Sequence, residues 1–262
     1  MIRVTDDLLL TVADMLGLPD FPVVLAVSHR HDTVEELDAA RWAAASHLVS
    51  AGLVDEYGDV AEDLALALTA LARPDRQLVA RIVDEHGVRR VCLARSGFTH
   101  ALAIRDGDEF EISTVWADGT PTVLARLLRR ALPALVPADI VAFSVPAVVL
   151  RERLDAATSS ADFTDLAYGL GIGDRDAAEY GMAMSRCRSR AEIVAYSHEN
   201  GIAIRSSSAA AVYDTDRGRI IAGPSLTAAG EAWSTFAPGS DHRLAQAISG
   251  VVGSLPGGRW MP

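Results

Sequence analysis

The feature that most constrains this fold is that the chain resembles itself. The stretch Val79-Ala-Arg-Ile-Val-Asp-Glu-His86-Gly87-Val88 aligns with Ile193-Val-Ala-Tyr-Ser-His-Glu-Asn200-Gly201-Ile202, apolar over apolar and Gly over Gly. Further on, Trp116-Ala-Asp-Gly-Thr120 leads into a helical pattern with Leu124, Leu127, Leu128 and Ala131 on one face. In the same order, Phe236-Ala-Pro-Gly-Ser240 leads into Leu244, Ala247, Ile248 and Val251. The expectation is a single α+β domain over residues 1–262 with an internal duplication, its pseudo-repeat halves falling at about 1–135 and 136–262. Such units bury their apolar faces most simply by joining about an approximate two-fold axis, in one continuous sheet or one shared core.

A chain of 262 residues can bury about 70 to 75% of its unfolded surface, so its core needs no disulfide or metal to hold it. Cys92 and Cys187 lie far apart in the sequence and are read as reduced and buried, as in a cytosolic chain. The start Met-Ile-Arg-Val-Thr-Asp-Asp lacks the basic segment and apolar run of a signal peptide. No stretch approaches the roughly 20 apolar residues of a membrane span. The reading is a cytoplasmic protein with no membrane insertion. A net charge of −11 argues against nucleic acid. Arg129-Arg130 and Arg186-x-Arg188-x-Arg190 read as solvated faces or as partners for Asp and Glu within the chain. All 24 basic residues are Arg, which removes the Walker lysine, Schiff-base chemistry and Ser-Lys nucleophile pairs.

Periodicity predicts helices after Thr5, from Thr33-Val-Glu-Glu36 to Ala51, and after an Asp59–Glu62 cap, with a strand at Val23–Val27 between the first two. Residues 77–116 read as an antiparallel meander turning at His86-Gly87, Ser96-Gly97 and Asp106-Gly107. Thr120-Pro121 starts a helix. Helices at Pro146, Asp162–Leu170 and Asp174–Met184 follow, then strands from Ala191, a hairpin around Asp216-Arg217-Gly218 and a helix from Ser240 to Ser254.

Catalytic and metal patterns are weak. Gly169-x-Gly-x-Gly173 follows a helix rather than a strand, so it lacks the dinucleotide-binding context. His29-x-His31-Asp32 has no third ligand at metal spacing. Asp241-His242 with Ser225 or Ser240 is formally a hydrolase set, but adjacent helical residues point about 100° apart. Asp106, Asp108, Glu109 and Glu111 read as a hairpin tip and edge that protects a sheet from self-association. No catalytic residue, cofactor site or metal site is assigned.

The run Ala211-Val-Tyr-Asp-Thr-Asp-Arg-Gly-Arg219-Ile-Ile-Ala-Gly-Pro224-Ser225, then Trp233, Pro238-Gly-Ser-Asp-His-Arg243-Leu and Leu255-Pro-Gly-Gly-Arg259-Trp260, resembles the C-terminal signature of the EspG family. Leu25-Ala-Val, Ala51-Gly-Leu53 and Ala72-Arg-Pro74 are similar to its N-terminal pattern, so the resemblance spans essentially the whole chain. It implies a quasi-two-fold α+β fold with a central antiparallel sheet and two helical bundles. It also implies a cytosolic chaperone of type VII (ESX) secretion that binds PE–PPE heterodimers through the apolar tip of the PPE subunit. Many members carry a longer loop among the early strands; here only Asp84 to Arg90 is available, which shifts partner choice toward the sheet and the second bundle.

An exposed apolar tip self-associates because apolar surface gains about 25 cal/mol per Å² on leaving water, and a soluble cap suppresses this. Candidate partner-binding residues are Tyr168, Leu170, Ile172, Tyr180, Met182 and Met184, around a Gly-rich turn and the helix after it, because Met adapts its shape to bound helices. Both methionines are read as replaceable without loss of the fold. Ser206, Ser207 and Ser208 are placed on a strand where they face a partner or water. Two other classes stay open: a small serine hydrolase using Ser96 or Ser225, and a homo-oligomeric structural protein pairing through its sheet edge. A weak homodimer of the free chain is compatible with the first reading.

Overall fold

Strand β2 (Arg76–Asp84) alternates Leu78, Ala80 and Ile82 on one side with Val79, Arg81 and Val83 on the other, and this alternation decides which helices cover which face of the sheet. The computed structural model describes residues 1–154, 157–226 and 230–262. In the first half, β1 (Ile2–Thr5), α1 (Asp6–Met15), a 3₁₀ turn (Val23–Leu25), α2 (Val34–Ser50) and α3 (Glu62–Ala72) precede β2, β3 (Gly87–Ser96), β4 (Thr99–Asp106), β5 (Glu109–Val115) and α4 (Pro121–Leu128). The second half holds β6 (Phe143–Pro146), α5 (Ala147–Leu154), α6 (Ser160–Tyr168), α7 (Asp174–Met184), β7 (Cys187–Glu199), β8 (Ile202–Arg205), β9 (Ala210–Thr215), β10 (Gly218–Leu226), β11 (Ala232–Pro238) and α8 (Asp241–Gly253).

Every described strand joins one antiparallel sheet; ten follow the order β1-β5-β4-β3-β2-β7-β9-β10-β11-β6, and β8 pairs with β7 off that path. Five strands of that path lie on each side of a seam between β2 and β7, and their chain order mirrors across it. Tyr196 and Ser197 pair with Gln77 and Arg76 on one side, so their pairing with Arg205 and Ile204 uses the side that β9 also occupies. Thus β8 and β9 are two pieces of one broken strand, the counterpart in position of β3.

Three cores result. On one face, Leu78, Ile82, Leu93 and Ile193 pack under α4 and α8. Helix α8 comes close to β10 because residue 223 is glycine: a Cβ there would sit 2.7 Å from the Ala247 Cβ. On the opposite face the outer strands of the first half lie under α1 and α3, with Phe110 and Ile112 fully buried. The outer strands of the second half lie under α6 and α7, where Phe143 stacks on Phe236 at 5.2 Å and the Tyr180 ring meets Phe143 edge-on at 5.0 Å.

The meander, the Thr33–Glu36 capping box and the Thr120-Pro121 helix start form as the sequence predicts. Several expectations fail for identifiable reasons. Val23–Val27 is not a strand: the Leu25 and Ala26 carbonyls accept from the Arg105 guanidinium at 2.8 and 2.5 Å, which holds a 3₁₀ turn with Ala26 at positive φ. The cap of α3 is Ala61 without a side-chain bond, because the Asp59 amide closes a turn onto the Asp55 carboxylate. The acidic strand β5 is not an edge, since β1 covers it and Arg3 pairs with Glu111 at 2.9 Å. Cys92 is buried but Cys187 is exposed, standing at the start of β7 beside a register shift.

The Asp6 carboxylate holds the first half together. It accepts from Arg105 at 3.0 Å and lies 2.9 Å from the Arg30 guanidinium; the Asp6 and Arg105 side chains are 5 and 7% exposed. Through Arg105 the same group ties α1 to the 3₁₀ turn and to β4. Removing one member of such a pair strands a buried charge at a cost of about 3–5 kcal/mol. Asp6→Ala is expected to lose that much in denaturant unfolding, whereas Asp14→Ala, whose ion pair with Arg41 is exposed, is expected to lose less than about 1 kcal/mol.

The C-terminal tail straps the sheet end. Trp260 is 2% exposed and donates its Nε1–H to His100 Nε2 at 3.0 Å, and Arg76 donates to the Arg259 and Pro256 carbonyls. Accepting that bond requires an unprotonated His100 Nε2, and burial holds the His100 pKa below its ordinary value. Burial also lowers His198, with Arg76 adding to the effect. With folded pKa values depressed, the unfolded chain takes up more protons as pH falls through about 6.5. Stability is therefore full above that pH and declines as the pH falls toward the lowered folded values. Melting temperature measured from pH 7.5 to 5 should fall, and His100→Gln, whose amide oxygen still accepts from Trp260, should flatten the decline.

Candidate partner interface

One register row crosses the whole sheet on the face that carries the two bundles. It runs Val4, Phe110, Arg105, Arg90, Arg81, Glu192, Ala211, Ala222, Phe236, Phe143. The ends of the row are apolar and buried under helices, while Arg81 and Glu192 at its middle are exposed and Arg90 and Ala211 are half-buried. The bundles thus leave a strip over β3, β2, β7 and β9 uncovered. Val83, 38% exposed, and the half-buried Val88, Val194 and Tyr196 supply its apolar floor. Across it, three strand spacings of about 4.8 Å give about 14 Å, wide enough for the roughly 10 Å cylinder of a helix.

The strip's charges are unevenly satisfied. Arg105 has Asp6, but Arg90 reaches only the Val24 carbonyl at 3.4 Å, and burial together with Arg81 and Arg105 lowers its pKa. Arg190 lies 3.9 Å from Glu192. Among the described residues, no carboxylate lies within ion-pair distance of Arg81 or Arg90.

Sequence reasoning selected other residues, and the structure divides them. Tyr180 and Met184 are 1 and 5% exposed, inside the third core, and the Tyr180 hydroxyl is buried there without a hydrogen-bond partner among the described residues. Leu170 and Ile172 are half-buried against the same core at the α6–α7 turn, and Tyr168 is 60% exposed at the end of α6. Met182 is half-buried, its sulfur 3.6 Å from the Arg217 guanidinium, which also pairs with Glu179. The six residues do not form one surface, because helical spacing turns Tyr180 and Met184 inward where the hairpin packs tightly. At Gly181 a Cβ would fall 2.0 Å from the Thr164 hydroxyl. Nearby, Asp139, Asp176, Glu179 and Arg217 help line a cavity of about 510 Å³ between α7 and residues 138–141.

The serines lie in the break between β8 and β9. Ser206 is buried, its amide donating to the Ala195 carbonyl at 2.8 Å and its hydroxyl accepting from the Ala195 amide at 3.1 Å. Ser208 bonds to Ser254 and Gly250 on α8 and the residue after it. Both fasten the broken strand, and of the three only Ser207 is exposed. The hydrolase set is not assembled: the Ser225 hydroxyl meets Thr235 at 3.0 Å and Asp241 reaches Arg129 at 3.4 Å. His31 pairs with Asp7 at 2.9 Å. The basic clusters find acids, Arg186 with Asp216 and Arg129 with Asp241. No described helix is long and apolar enough to cross a membrane.

Residues 5–250 match the family model described as the EspG family. The chain belongs to the EspG family. It is 31% identical over 266 aligned residues to the ESX-1 secretion-associated protein EspG1 of Mycobacterium marinum, an alignment covering 99% of this chain and 90% of that protein. The ESX-3 secretion-associated protein EspG3 of Mycolicibacterium smegmatis is 27% identical, with 100 and 89% covered. The fold matches that of the Mycobacterium tuberculosis type VII secretion chaperone EspG5, solved in complex with a PE25–PPE41 dimer, at a TM-score of 0.80 and 19% identity over 99% of this chain and 98% of EspG5.

Within this EspG-family chain the placement of the two methionines generates a contrast. Met184→Asp sets an unpaired carboxylate in the third core and is expected to cost several kcal/mol, enough to lower the melting temperature by 10 °C or so. Met182→Asp, at a half-exposed site, is expected to stay within about 2 °C of the parent. Circular dichroism melts of the two variants check the assignment.

Proposed function

We propose that this chain is a non-enzymatic secretion chaperone that caps the apolar, helical tip of the PPE subunit of a PE–PPE heterodimer in the cytosol and keeps the pair soluble until ESX secretion. The observation that carries the reading is the uncovered strip over the β2–β7 seam in a chain of this family. A flat apolar-and-charged floor walled by two bundles suits the end of a helical hairpin. It can also supply the roughly 1,600 Å² in total that a specific complex buries. EspG1 and EspG3 are named as secretion-associated proteins, and EspG5 as a chaperone in complex with a PE–PPE dimer, which supports the same reading. The reading takes the two halves as copies of one unit within a single domain; what supports this is the mirrored strand order, together with the aligned stretches at Val79 and Ile193.

Co-expression with PE–PPE pairs of the same genome, followed by gel filtration, is expected to yield a 1:1:1 complex with at least one pair. Val83→Arg places a long charged side chain on the exposed floor. It should weaken capture at least about tenfold while the melting temperature stays within about 2 °C of the parent. Absence of a complex with every pair, or turnover of ester substrates abolished by Ser225→Ala, overturns the proposal.

A further inference from the structure

Three arginines converge on the strip with too few acids to satisfy them. Arg90 and Arg81 are direct cross-strand partners, and Arg190 on β7 is the diagonal neighbour of Arg81, displaced by one step from its partner Glu192. Like charges placed directly opposite one another on a sheet are destabilising. Glu192 is the one carboxylate that the described residues of β2, β3, β7 and β9 project on this face. The patch therefore carries a local excess of positive charge on a molecule whose net charge is −11. Solubility of the chain as a whole does not call for it, and the arrangement is costly: the Arg90 pKa is lowered by burial and by its two arginine neighbours. Elsewhere in the sheet the buried arginines each have an acid beside them, Arg105 with Asp6, Arg219 with Asp214 at 2.6 Å and Arg95 with Asp75 at 3.4 Å. On the strip, Arg190 lies 3.9 Å from Glu192, and Arg81 and Arg90 make no ion pair among the described residues.

We propose that Arg81, Arg90 and Arg190 form a carboxylate-binding subsite that receives an Asp or Glu side chain from the helical tip of the client, so that capture requires an acidic residue beside the apolar ones. This rests on the capping function proposed above and names the chemistry by which the strip selects its client. A guanidinium presents paired N–H donors that match a carboxylate bidentately, and charge-assisted bonds of this kind are roughly twice as strong as neutral ones. Complementary charge at an interface also suppresses wrong partners and raises the rate of encounter. Val83 and Val194 flank the subsite and supply the contact for the apolar part of the tip.

The test uses the full chain and whichever PE–PPE pair co-purifies with it, with dissociation constants measured at 50 and 500 mM NaCl. Parent affinity should fall about tenfold or more between the two salt concentrations. Arg81→Glu should weaken binding at least about tenfold at low salt and flatten the salt dependence, and Arg81→Gln should do so to a smaller degree. Replacing one acidic residue of the PPE tip by Lys should restore binding to Arg81→Glu. Melting temperatures of both variants near the parent value establish that the loss is local; if Arg81→Glu fails to fold, Arg81→Gln and the client variant alone decide. Unchanged affinity and salt dependence in folded Arg81 variants overturn the subsite while leaving the capping function standing. A parent chain that captures no pair overturns both.

Discussion

The antiparallel register between β2 and β7 is the constraint from which the rest follows. Nine consecutive pairs, from Arg76 with Ser197 to Asp84 with Ser189, join the two halves into one sheet. With that register, Leu78, Ala80 and Ile82 lie beside Ala195, Ile193 and Ala191 and form the centre of the core beneath α4 and α8. Side chains alternate with a period of two, so a slip of one residue in either strand would turn its charged set, Arg81 in one and Glu192 in the other, into that core. Burying an unpaired charge costs far more than the seam could recover, so the register is specified by what it keeps out as well as by what it buries.

The same alternation accounts for the division of labour between the faces. Where helices cover the bundle face, the row residues are Val4, Phe110, Phe236 and Phe143, with Arg105 paired to Asp6; at the middle they are Arg90, Arg81 and Glu192. Arginine satisfaction declines toward the seam. Arg105 under the first bundle has a buried acid and three carbonyls, Arg90 at the bundle's rim has a single carbonyl, and Arg81 in the open faces Glu192 across the seam but makes no ion pair among the described residues. Ion pairing thus tracks helix coverage residue by residue, as expected when desolvation sets the demand for a counter-charge.

Much of this was legible in the chain. Turn glycines and apolar alternation located the first meander, and the Leu124 and Leu244 helices form the paired layer over the seam. The partner surface was harder to read. Tyr180 and Met184 share the amphipathic pattern of any core helix, and periodicity alone says which residues share a face but not whether that face meets protein or solvent. The signal that was available lay in the strands. Val-Ala-Arg81-Ile-Val sets a charge in the middle of an apolar strand, and Arg89-Arg90 and Glu192 do likewise in the strands to either side. A charge inside a central strand marks a gap in the covering layer. The row that makes three of them neighbours depends on the register between strands about 100 residues apart in the chain, which no local pattern encodes. The short β1 and β6 escaped for a related reason: strands of four residues are held by pairing and not by their own pattern.

A capping protein faces a conflict, since a surface apolar enough to hold a greasy tip invites self-association when empty. The geometry offers a way out. Both ends of the sheet are four-residue strands, too short to template pairing with another chain. The open strip is a face with its backbone groups already spent in the sheet, so it cannot extend by strand addition. Its apolar residues are interleaved with the guanidinium groups of Arg81, Arg90 and Arg190, like charges that would oppose close approach of a second copy of the same face. On the proposals above, such a strip would favour a partner that brings both apolar surface and negative charge. On the capping function proposed above, the like charges at the centre of the sheet would disfavour face-to-face pairing of two copies and favour an acidic client, so the uneven satisfaction of the arginines would serve the function and not mark a defect of packing.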